Sequence, residues 1–189
     1  MGRITLLRHG QTDFNAAGLL QGRVDNPLNS IGILQAQKAA QMIGPVDRVI
    51  SSPLKRAIQT AEVFNTKIEL SEQWIELDYG DWDGTPVASI SKEVWEEWKR
   101  NPNFAPPNGE SLYKLGQRVR SSLESFKSIS TEHVLIVAHV SPIKAAIAWA
   151  LGVGDEIGWR TRLDTASYSQ IRMDKGLPTL TKFNITHET

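Results

Sequence analysis

Hydrophobic positions along this 189-residue chain follow two spacings. Short, nearly continuous apolar runs occur at residues 3–7, 47–51, 67–70 and 133–138, each the length of a strand buried in a sheet. Between them apolar residues recur every three or four positions, the period of a helix with one buried face. Asn29 or Ser30 can cap such a helix to about Ile43, and Gly44-Pro45 stops it. Ser52-Pro53 reads as an N-cap with proline at the first helical position, for a helix through Phe64. Thr85-Pro86 gives the same signal for a Trp-rich helix to about Arg100. Leu112, Leu115, Val119, Leu123 and Phe126 define a helix over 111–129, and Ser141-Pro142 begins one that ends near Gly152. Residues 166–173 and 179–185 are strands of a hairpin turning at Lys175-Gly176. Residues 9–29 hold three glycines, three asparagines and a proline, and 101–109 three prolines and a glycine, so both read as loops. Residues 74–84 are irregular.

Strands alternate with helices over most of the chain. This pattern predicts an α/β fold, a three-layer α/β/α sandwich with a mostly parallel sheet and an antiparallel terminal hairpin. The length suits one domain over residues 1–189. Ligands of such sheets sit beyond the carboxyl ends of the strands. Three polar stretches fall there: Arg8-His9-Gly10, residues 51–56, and His139-Val140-Ser141.

Charge sharpens the picture. The 21 basic and 21 acidic residues cancel, which argues against a nucleic-acid or membrane surface. Any anionic ligand must therefore be drawn by a local cluster. The chain has no cysteine, which excludes thiol catalysis, disulfides and thiolate metal sites. No apolar stretch is long enough to span a bilayer, and the apolar run before Arg8 is too short for a signal peptide, so a cytoplasmic location is expected.

At the predicted sheet edge two arginines and two histidines converge, and two helices, starting near Pro53 and Pro142, aim their N-termini there. Arginine forks and helix N-termini both favour phosphate. One histidine, neutral because flanking arginines disfavour its proton, could attack phosphorus. Gly10 would let the backbone approach the phosphate closely. A leaving alkoxide needs a proton, and Glu76 competes for that role with Glu72, Asp78, Asp81 and Asp83. Lys55 and Arg56 compete for the phosphate. Trp74, Trp82, Trp95 and Trp98 could line a pocket, the last two fitting better between helices. His133 and His187 read as structural or exposed.

The residues LLRHGQTDFN (6–15), SSPLKRAIQTA (51–61), IELDYGDWDG (75–84), NGESL (108–112) and VLIVAHVSPIK (134–144) together resemble the histidine phosphatase superfamily, the phosphoglycerate-mutase-like fold. The resemblance covers nearly the whole chain. It implies a phosphoryl-accepting His9, phosphate-holding Arg8, Arg56 and His139, and Glu76 as proton donor. It further implies Gly10, Asn15, Gln21, Gly22 and Val140 around the substrate. Val140 stands where the family commonly has glycine, and Asp83 where it often has glutamate. The resemblance implies a metal-independent hydrolase without cofactor, acting on a small phosphorylated metabolite. The chain has no room for the insertion of the longer mutases. The segment after His139 looks more like the α-ribazole-phosphatase-like branch. An isomerase and a non-catalytic phospho-ligand binder are the alternative readings. The substrate itself has no readable code. The oligomeric state has none either, a dimer being one option.

Overall fold

The computed structural model describes residues 2–128 and 131–187. Strands β1 (Gly2–Arg8), β2 (Arg48–Ser51), β3 (Ile68–Leu70), β4 (His133–Ala138), β5 (Tyr168–Asp174) and β6 (Leu177–Ile185) form one sheet in the order β3-β2-β4-β1-β5-β6. The first four in that order run parallel, and β5 and β6 add the antiparallel edge. Lys175 and Gly176 both have positive φ, 49° and 81°, as a two-residue hairpin turn requires.

The side-chain alternation of the strands separates two cores. Ile4, Leu6, Val134, Ile136 and Ala138 pack on one face against α5 (Leu112–Glu124) and α6 (Val140–Leu151), with Trp98 of α4 (Lys92–Arg100) in the same cluster. Leu7, Val49, Leu135 and Val137 pack on the other face against Ala39 and Ile43 of α2 (Ser30–Ile43) and Ala57 and Ala61 of α3 (Lys55–Glu62). This is the three-layer α/β/α arrangement that the alternating pattern predicts. No helix among the described residues is long and apolar enough to cross a membrane.

Several local expectations change. The loop 9–29 contains a short helix, α1 (Asp13–Ala16), closed by a capping box between Thr12 and Asn15. Ser52-Pro53 does not start α3; Leu54 is its N-cap, and the Ser52 hydroxyl faces His139 instead. Thr85-Pro86 does not start α4 either. The backbone of 84–87 pairs with residues 18–20, through Leu20 N–H to Thr85 O (2.8 Å) and Val87 N–H to Gly18 O (3.0 Å). Only a single 3-10 turn follows there, over Val87–Ser89, and Ser91 becomes the cap of α4. The α5 helix ends at Glu124, and the expected end at Ile129 lies outside the described residues.

Asn29 behaves as its sequence position predicts. Its Oδ1 accepts the Gly32 N–H at 2.9 Å, and its Nδ2 donates to Gln11 Oε1 at 3.0 Å. It therefore ties the start of α2 to the loop leaving β1. Asn29→Ala should lower stability by about 1 kcal/mol, the usual scale of a lost cap, as read from urea unfolding midpoints.

Candidate active site

The parallel register puts three strand ends level. Arg8 pairs with Ala138 and Ser51 with Val137, so His9, His139 and Ser52 each stand one residue beyond neighbouring strands. His9 N–H donates to Ala138 O and Ser52 N–H to Val137 O, both at 3.0 Å, which extends the ladder by one step. The His9 and His139 rings lie 5.0 Å apart, centre to centre.

Arg56 is fully buried, whereas its neighbour Lys55 is exposed and pairs with Asp25. A buried guanidinium needs acceptors. Its NH2 group donates to Gly22 O (2.7 Å), NH1 to Val24 O (2.8 Å), and Nε to His139 Nδ1 (3.3 Å). Burial lowers its pKa to about 10, with the carboxylates of Glu76, Asp83 and Asp25 acting against that shift. Arg8 donates from NH1 to Leu163 O at 2.7 Å, while its buried Nε has no acceptor among the described residues. Gln21 Nε2 is in the same condition. Buried donors without acceptors are costly in isolation and fit an anion.

Since arginine can only donate, His139 Nδ1 must be unprotonated, and Nε2–H donates to Ser52 Oγ at 2.7 Å. His9 Nδ1–H donates to Gly10 O at 2.7 Å, which leaves Nε2 as its lone-pair nitrogen. Burial first, then the charge of Arg56, holds both histidines well below their ordinary pKa, so both are neutral at physiological pH.

Of the five candidate acids, only Glu76 is buried. Its Oε1 accepts from Leu77 N–H (2.8 Å) and from Ser141 N–H (3.2 Å) in the first turn of α6. Asp78 pairs with Arg23, Asp81 accepts from Asn108, and Glu72 is exposed. Glu110 lies outside the site, held by two bonds from Arg118.

The remaining predicted residues act less directly. At Gly10 a Cβ would sit 2.4 Å from Gly32 O, so backbone packing against α2 requires glycine here. Asn15 Nδ2 and Thr12 Oγ1 both donate to Gln21 Oε1, at 3.2 and 2.7 Å, which fixes the Gln21 amide and its free NH2. Gly22 contributes its carbonyl to Arg56. Val140 lies at the edge of an apolar pocket, apart from the arginines. At the helix N-termini, Lys55 N–H is taken by Asp25 Oδ1 (2.6 Å) and Ser141 N–H by Glu76.

Asp83 has a role other than the acid its position suggests. Its carboxylate accepts the N–H groups of Gly22, Arg23 and Val24 at 2.7, 2.8 and 2.9 Å. It thereby shapes the turn whose carbonyls hold Arg56. Ser52 was read only as a cap, although it fixes the His139 tautomer. Neither role has a signal in local sequence, because each partner is remote in the chain.

Residues 4–186 match the family model of the histidine phosphatase superfamily (branch 1). Phosphoserine phosphatase 1 of Hydrogenobacter thermophilus is 32% identical over 98% of this chain and 93% of its own length. The adenosylcobalamin/alpha-ribazole phosphatase of Escherichia coli is 31% identical over 96% of this chain and 95% of its own. Among solved structures, a phosphoserine phosphatase mutant from Entamoeba histolytica in complex with phosphoserine matches with a TM-score of 0.88 and 27% identity, over 97% of both chains.

Two outcomes are expected from this geometry. Asp83→Ala should loosen the 22–24 turn and cost kcat/KM roughly tenfold or more, the scale of a misplaced positioning group, with a native circular dichroism spectrum. Because His9 and His139 fold neutral, the unfolded chain binds more protons near their ordinary pKa of 6.5. Their contribution to stability is thus present above pH 6.5 and lost as the pH falls below it. Urea midpoints at pH 7.5 and 5.0 should differ less in His139→Gln than in the native chain.

Proposed function

The chain belongs to the histidine phosphatase superfamily, branch 1, as a phosphatase of small-molecule esters, and we propose that His9 takes the phosphoryl group. The observation that carries this is the His9 tautomer. With Nδ1–H committed to Gly10 O, the ring presents a neutral Nε2 beside Arg8 and Arg56.

Nε2 of His9 attacks phosphorus and forms a P–N bond while the ester P–O bond breaks. Glu76 gives the leaving oxygen its proton. A water molecule then attacks the phosphohistidine, Glu76 takes back a proton, and inorganic phosphate leaves with His9 restored. Arg8 and Arg56 hold the charge on the phosphoryl oxygens through the near-planar stage. His139 keeps the Arg56 guanidinium at a fixed rotation through Nδ1, and Gln21 offers a further donor. The positive charge this scheme needs is supplied by arginine alone, and turnover is expected to survive EDTA.

The substrates belong to the small phosphorylated metabolites, the class named for the relatives and bound in the structural neighbour. The test is phosphate release from a panel of phosphorylated metabolites, with His9→Ala as control. His9→Ala should reduce turnover at least a thousandfold, on the order expected for loss of a nucleophile, and acid-labile phosphate should be trapped on the native chain only. Efficient phosphoglycerate interconversion with little phosphate release would instead establish an isomerase.

A further inference from the structure

A second cavity adjoins the phosphoryl site. Leu77, Tyr79, Trp95, Trp98, Val140 and Trp159 form part of its wall, and its volume is about 120 Å³. It borders the proposed acid. Leu77 follows Glu76, Val140 follows His139, and Ser141, also on the wall, holds the Glu76 carboxylate by its N–H. Tyr79 and Lys144, two more wall residues, lie within the electrostatic reach of both Glu76 and Arg8. A group joined to a phosphate between Arg8, Arg56 and His9 therefore emerges beside Glu76 and meets this cavity first.

The wall is built for an aromatic or compact apolar group. Trp95 and Trp98 stack with planes 9° apart, and Trp159 stands edge-on to both, at 6.0 and 5.7 Å between ring centres. Trp98 is buried in the core and fixed, whereas Trp95, Trp159 and Val140 are half-buried and leave part of their surface to the cavity. The volume is close to that of an apolar cavity of ~150 Å³ that holds one benzene molecule. The wall has one cation, Lys144, and one carboxylate, Asp155. The Lys144 ammonium donates to Gly158 O at 2.7 Å, and Asp155 accepts from Arg120 at 2.8 Å. Both charged side chains of the wall are thus engaged within the protein, and the rest of its surface is mostly apolar.

We infer that this cavity is the leaving-group site and that it selects phosphomonoesters whose alcohol carries an aromatic ring or a compact apolar group within one or two bonds of the ester oxygen. The inference rests on the phosphatase reading above and adds the chemistry of the alcohol. Val140 belongs to it: one residue beyond His139, its side chain adds apolar surface to the wall.

The test compares benzyl phosphate, ethyl phosphate and L-phosphoserine by phosphate release from the full chain. Benzyl and ethyl esters have leaving oxygens of similar basicity, so their difference reports the cavity and not the chemistry. Benzyl phosphate should exceed both others in kcat/KM by roughly tenfold or more, the scale of added apolar contact in a pocket. Trp95→Ala should bring the benzyl-to-ethyl ratio towards one, and Trp95→Phe should keep most of it. Equal rates for benzyl and ethyl phosphate, a preference for phosphoserine, or a ratio unmoved by Trp95→Ala would overturn the inference while leaving the phosphatase reading intact. No release from any ester by a folded chain would overturn both.

Discussion

The buried guanidinium of Arg56 is the constraint around which the site is organised. A charge taken out of water must find acceptors, and each acceptor it finds here fixes a different part of the chain. Two are carbonyls of the loop after β1, at Gly22 and Val24. That loop can present them because its own N–H groups are held by Asp83, from beyond β3. The third acceptor is His139 Nδ1, which settles the tautomer of that ring and turns its Nε2–H to Ser52. One cation thus ties together the ends of β2 and β4, the loop after β1 and the irregular segment after Glu76.

The same burial sets the electrostatics. The chain has no net charge, so the positive field at the site is the local one of Arg8 and Arg56. Their field, added to desolvation, keeps His9 and His139 neutral. A protonated His9 would bind phosphate well and attack nothing. A nucleophile beside cations is therefore consistent chemistry: the arginines proposed to bind the oxygens also disfavour the competing proton. Glu76 is placed by α6, whose Ser141 N–H meets its carboxylate, and this puts the proposed acid between the phosphoryl pocket and the aromatic cavity.

The tryptophans divide by environment. Trp74 is fully buried, with Nε1 bonded to Ser122, and has no part in a pocket. Trp98 packs in the core, yet one of its faces closes the cavity, so the distinction between packing and ligand contact does not hold for it. Helical spacing correctly puts Trp95 and Trp98 on one side of α4. It cannot tell whether that side meets another helix or a space between helices.

Periodicity alone was enough for the layered α/β sandwich, the extents of α2 and β4 and the terminal hairpin, because these depend on alternation and caps that are local in sequence. The ordered motifs named His9, Arg8, Arg56, His139 and Glu76, and the structure brings these five together. Local signals failed where a distant segment competed for the same backbone groups. Thr85-Pro86 carries a helix-start signal, but residues 18–20 pair with it first. Ser52-Pro53 does too, but its hydroxyl is drawn to His139. Gly10 is legible as a required glycine, but the close passage of α2 at Gly32 is not. Sequence by itself therefore determined which chemical groups the protein has and the order of its elements. Only the tertiary structure decided which hydrogen bonds those groups make, since each tautomer, buried charge and cavity wall here is set by partners far away in the chain.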